Sequence, residues 1–121
     1  MASILLVMDD KAPIRTWLPT VLQSAGYGVL EATSGREGLR MCRQRPIDLV
    51  IVDMLMPKLN GLETIMELTR EFLHVKVITI SEEAADHAML RTAKLFGVRQ
   101  TLFKPFGIVK MLNAVQYELA R

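Results

Sequence analysis

The run Leu49-Val50-Ile51-Val52, closed by Asp53 and followed four residues later by Pro57, constrains this chain more than any other stretch. Four apolar, mostly β-branched residues without polar alternation fit a strand buried on both faces, as in the interior of a parallel sheet. The carboxylate that closes the run then stands at the strand's carboxyl end, where open α/β sheets collect their ligands. Pro57 stops the element.

The same unit recurs along the chain. Ile4–Met8 reads as a first buried strand ending in Asp9-Asp10. A helix follows with Pro13 in its first turn, an inward stripe of Ile14, Trp17, Leu18, Val21 and Leu22, and Gly26 at its end. Gly28–Ala32 is a weaker strand suited to a sheet edge. Ser34 and Glu37 have capping-box spacing for a helix to about Gln44 with a solvated, arginine-rich face. Pro46 and Asp48 punctuate the approach to the central strand. After a loop over 58–61, with Asn60 as the cap, a helix is expected to turn Leu62, Ile65, Met66, Thr69 and Phe72 inward. Residues 75–80 form strand four, with Ser81 at its carboxyl end, and a helix from about 84 to 96 stops at Gly97. Strand five, 100–103, precedes Lys104-Pro105, and a last helix turns Ile108, Leu112, Val115 and Leu119 inward. Strand–helix alternation with short connections predicts a three-layer α/β sandwich, a parallel sheet covered by helices on both sides.

Composition narrows the function. A chain of 121 residues is one domain, expected to span 1–121 with no effector domain, and 50% hydrophobic with 23% charged residues argues against disorder. The net charge is +2 without a basic block, so direct nucleic-acid binding is not expected. The single Cys42 excludes an internal disulfide and suits a reducing cytoplasm. Apolar runs fall short of the roughly 20 residues of a bilayer span, and a secretion signal is lacking. The expectation is a soluble cytoplasmic protein.

In a parallel sheet, Asp9, Asp10, Asp53, Ser81 and Lys104 converge on one edge. Carboxylates ~4 Å apart repel by about 4 kcal/mol per pair at an effective dielectric of about 20, which a divalent cation or an ammonium relieves. All-oxygen donors suit Mg²⁺ better than zinc.

Four motifs in order, ILLVMDD, DLVIVDMLMPKLNG, KVITIS and LFKPF, span nearly the whole chain. Together they resemble the receiver (CheY-like) domain of two-component response regulators. The resemblance implies a flavodoxin-like sheet of five parallel strands in the order 2-1-3-4-5, flanked by five helices. It also implies a phosphoacceptor, Asp53, that takes a phosphoryl group from a phosphohistidine on a sensor histidine kinase or histidine phosphotransfer protein. Asp10, Asp53 and the backbone carbonyl of Leu55 would hold Mg²⁺, with Asp9 acting through metal-bound water. Lys104 would pair with the acceptor and then with a phosphoryl oxygen. Ser81 would close on the phosphoryl group and switch the face made by helix 4, strand 5 and helix 5. The Lys104-Pro105 bond would be cis. Such a domain catalyses its own phosphorylation and dephosphorylation but is no metabolic enzyme. Its output partner is unnamed by the sequence, and a phosphorylation-dependent homodimer is compatible with it.

The chain departs from the family at the switch. Thr101 stands where an aromatic is usual, Glu82 where a small residue is usual, and Leu55 offers no polar group to orient water. Glu82 is either a gate over Asp53 or a solvent-facing residue in the first turn of the next helix. Ser81 is also a candidate N-cap for that helix. Thr101 and Glu82 favour an alternative function, a phosphorylation-independent, receiver-like interaction module. A small hydrolase with Asp53 as nucleophile lacks an identifiable general base.

Overall fold

The computed structural model describes residues 2–9, 12–54, 61–82 and 87–121, with backbone alone over 12–16. Its elements alternate as β1 (Ile4–Met8), α1 (Ala12–Ser24), β2 (Gly28–Ala32), α2 (Gly35–Gln44), β3 (Leu49–Asp53), α3 (Gly61–Glu71), β4 (Lys76–Glu82), α4 (His87–Leu95), β5 (Gln100–Lys104) and α5 (Ile108–Ala120). All the strands are parallel, in the order β2-β1-β3-β4-β5. The sandwich, strand number and strand order agree with the expectation.

Strand periodicity divides the core. Leu5, Val7, Leu49, Ile51, Ile78, Ile80 and Leu102 pack beneath α1 and α5. On the other face, Leu6, Met8, Val50, Val52 and Val77 pack beneath α2, α3 and α4. Every residue of β3 is buried, as the unalternating run requires. From β1 the chain crosses one face of the sheet to β2, and from β3 it crosses the other face to β4. The gap between β1 and β3 is therefore the topological switch point, where a crevice opens at the carboxyl edge.

Local chemistry sets the element ends. The Ser34 side chain accepts from the Glu37 amide at 3.2 Å and caps α2. Gly97 ends α4 at φ +100°, donating to the Lys94 carbonyl, while Val98 donates to that of Ala93. That is a Schellman cap, whose left-handed residue favours glycine. Gly26 closes α1 in the same way.

The amino edge is tied by one residue. The Asp48 carboxylate accepts the Ile4 amide at 2.8 Å, its amide donates to the Ile4 carbonyl, and its carbonyl accepts the Lys76 amide. One side chain and its peptide groups thus align the starts of β1, β3 and β4.

Three expectations need correction. In α3 the buried stripe is Gly61, Thr64, Ile65 and Leu68, and Met66 is exposed. In α5 it is Met111, Ala114, Val115 and Glu118, with Ile108 exposed and Leu112 and Leu119 partly buried. Both helices carry apolar residues outside the buried stripe, so periodicity leaves the inward face open to a rotation of one residue. Finally, Ser81 and Glu82 are the last residues of β4, so neither the N-cap reading of Ser81 nor the helical-turn reading of Glu82 holds. The expected Asn60 cap and the start of the fourth helix at 84 lie outside the described residues.

Candidate functional site

Side chains one step past the apolar face of each strand form the carboxyl edge. Two residues on from Val7 stands Asp9, two on from Ile51 stands Asp53, and two on from Leu102 stands Lys104. Strand alternation thus carries all three onto the face that packs under α1 and α5. Met8 pairs with Val52, so the same register sets Asp9 beside Asp53.

Both carboxylates are buried, Asp9 at 0% and Asp53 at 2% exposure. The Lys104 ammonium, from a strand 51 residues further on, donates to Asp53 Oδ2 at 3.1 Å. A buried carboxylate is costly unless it is paired and hydrogen-bonded, and the ammonium supplies compensating charge. The Lys104-Pro105 peptide is cis. Asp10 and Leu55, the other expected metal ligands, lie outside the described residues.

Ser81 is buried, and among the described residues its hydroxyl makes one long contact, 3.5 Å to the Glu82 carbonyl, which leaves it able to donate to a better acceptor. Glu82 is exposed and pairs in register with Lys104. The hydroxyl of Thr79, two residues earlier on β4, is already engaged. It lies 2.7 Å from the Thr101 hydroxyl and donates to the Gln100 carbonyl at 3.3 Å. Thr101 therefore ties β5 to β4 where an aromatic ring would lie loose against the surface. Beside it, a groove of about 360 Å³ is lined by Leu90, Phe103 and the basic Arg91, Lys94 and Arg99.

One contributor escaped the sequence reading. A Cβ on Gly61 would overlap the Met54 backbone and approach the Asp53 carbonyl within 2.7 Å. The Gly61 amide also donates to the Met54 carbonyl at 3.1 Å. The N-terminus of α3 can sit this close to the acceptor strand only without a side chain. The Asn-Gly pair after Pro57 was legible as a turn but gave no sign of that approach. Cys42, in contrast, belongs to the core under α2, and burial pushes its thiol up to about 11, away from nucleophilic use.

Comparison with known proteins identifies the family and the fold. Residues 5–116 match the family model of the response regulator receiver domain.

The chain belongs to that family.

It is 34% identical over 119 residues to the chemotaxis protein CheY of Thermotoga maritima, covering 95% of this chain and 98% of that protein. It is 31% identical to the response regulator GtcR of Aneurinibacillus migulanus over its whole length, but spans only 49% of that relative. Among solved structures, CheY4 of Vibrio cholerae superposes with a TM-score of 0.90 at 27% identity, covering 98% and 99% of the two chains. TrrA of Thermotoga maritima, solved in complex with Mg(2+)-BeF, superposes with a TM-score of 0.84 at 29% identity, covering 95% and 97%. The receiver is thus a component of two-component signal transduction, a signalling module outside the classical enzymes. Among the described residues, no helix is long and apolar enough to cross a membrane.

Proposed function

We propose that Asp53 is the phosphoacceptor of this receiver. An Asp53 carboxylate oxygen attacks phosphorus, the P–N bond of a phosphohistidine breaks with its electron pair going to the imidazole, and an aspartyl phosphate forms. The donor is a sensor histidine kinase or a histidine phosphotransfer protein, working in the cytoplasm. The observation that carries this reading is the 3.1 Å contact between Lys104 and the buried Asp53 at the topological switch point.

The donor set suits a hard cation. Asp9 and Asp53 offer buried carboxylate oxygens. Asp10, Asp53 and the Leu55 carbonyl would hold Mg²⁺ directly and Asp9 through water. Bound there, the cation would offset charge on the transferring phosphoryl group. Lys104 orients the acceptor through its hydrogen bond, then passes that bond to a phosphoryl oxygen. Ser81 donates a second hydrogen bond, and its movement carries the signal along β4. Because the Thr79–Thr101 hydroxyl pair replaces a rotating aromatic, that signal reaches the α4–β5–α5 face as a shift of paired strands. Hydrolysis of the aspartyl phosphate, which the receiver also assists, resets it. Exposed Glu82 stands over the approach to Asp53 as a gate that slows anionic donors.

The same Thr79–Thr101 tie favours the second reading, an interaction module that works without phosphate. One experiment separates them. Incubation with acetyl phosphate and Mg²⁺ adds one phosphoryl group by intact mass, and chelation with EDTA or Asp53→Asn removes the adduct. A protein that stays unmodified under all these conditions is the phosphate-independent module.

A further inference from the structure

The edge of the sheet opposite Asp53 holds a second cleft, between the C-terminal ends of α3 and α4. Its inner part, about 320 Å³, is floored by Phe72, Val77 and Phe96, and an outer part of about 640 Å³ runs between Met66 and Leu95. Phe96 and Gly97 border both parts, so the cleft is continuous. Leu73 and Leu95 flank it at 90% and 86% exposure, beside the less exposed Met66 and Phe96.

Four large apolar side chains open to water in one place are more than scattered surface hydrophobics. They are also held in position. The Schellman cap at Gly97 fixes the turn that carries Leu95 and Phe96, and Leu73 stands two residues past α3, after Phe72, whose amide donates to the Leu68 carbonyl. The patch is preformed, which lowers the ordering cost of binding.

Charge selects the occupant. Among the described residues no carboxylate lines the cleft, whereas Arg70, Lys76, Arg99 and Arg121 do. Arg70 is paired with Glu67 and Arg121 with Glu118, but Lys76 and Arg99 have no ion-pair partner among the described residues. A second copy docked through the same face would set these cations against each other, which disfavours a symmetric dimer. We propose that this cleft is a docking site for an amphipathic segment of a partner protein, with leucine-like anchors and acidic flanks. The binding mode is that of an amphipathic helix laid in an apolar groove. The cleft lies at the edge of the sheet away from Asp53 and meets the groove beside Thr101 at Arg99, which lines both.

The test uses two synthetic amphipathic peptides with the same leucine pattern, one flanked by glutamates and one by lysines. Each is titrated into ¹⁵N-labelled protein. The acidic peptide is expected to shift the amides of Met66, Leu73, Leu95 and Phe96. It should bind at least about tenfold more tightly than the lysine peptide, and about tenfold more weakly to the double variant Leu73→Ser/Leu95→Ser. Both substituted side chains lie almost wholly in water, so the double variant keeps its core, and unchanged phosphoryl uptake on Asp53 checks this. The proposal is overturned if the peptides bind equally, if shifts fall elsewhere or are absent, or if the double variant binds as well as the parent. It is also overturned if sedimentation reveals a dimer that the double substitution dissolves, since the occupant is then a second copy.

Discussion

Asp48 and Asp53 bracket the same strand, and their uses could hardly differ more. Asp48, before the first residue of β3, spends its carboxylate on the Ile4 backbone amide and helps align three strand starts. Asp53, the last residue, is buried against a lysine that arrives from a distant strand. One carboxylate is consumed by the scaffold; the other is held ready by it. The contrast follows from parallel-sheet geometry. Strand starts expose amide donors that a carboxylate can satisfy, whereas strand ends at a switch point leave a crevice between diverging connections.

Exchanging the carboxylates for neutral groups should separate the two roles. In Asp53→Asn, phosphoryl uptake should fall below detection by intact mass while urea stability stays within about 1 kcal/mol of the parent, because the amide fills the same volume. Asp48→Ala should do the reverse. Uptake persists while stability drops by about 1.5–3 kcal/mol, the scale of a hydrogen bond to a charged group. Retained uptake in Asp53→Asn, or undiminished stability in Asp48→Ala, breaks the comparison.

Gly61→Ala tests whether the reactive edge is also packed to tolerance. The added methyl meets the Met54 backbone, which cannot swing aside as a side chain would. A loss of about 1–3 kcal/mol, the range for overpacking, is expected together with slower uptake. Full stability with parental uptake would mean that α3 can move away from the acceptor strand freely.

The smallest effect concerns signal transmission. Thr79→Val and Thr101→Val each remove one partner of the 2.7 Å hydroxyl pair and should each cost about 1 kcal/mol. The double variant should cost less than the sum, since neither hydroxyl is then left alone. Additive losses in denaturant titrations would show that the two hydroxyls act independently.

The strands were legible because an unalternating apolar run needs no tertiary information to be recognised as doubly buried. Gly26, Gly97 and Ser34 were legible as helix ends because caps are local hydrogen-bonding arrangements. Glu118 was not. It is fully buried on α5, with one oxygen accepting from Arg121 at 2.8 and 3.0 Å, yet in sequence it looks like any surface glutamate. The same holds for Leu68 against Met66 on α3, where two apolar residues compete for one inward position.

By itself the sequence determined the alternation of strands and helices and the carboxylates that follow β1 and β3, because periods of 2.0 and 3.6 residues are set by backbone geometry. Only the tertiary structure decided that Lys104 reaches Asp53, that Thr79 is taken by Thr101, and that Asp48 gathers three strands. Each of these joins segments well separated in the chain, and their meeting depends on strand order and register, which local periodicity does not specify.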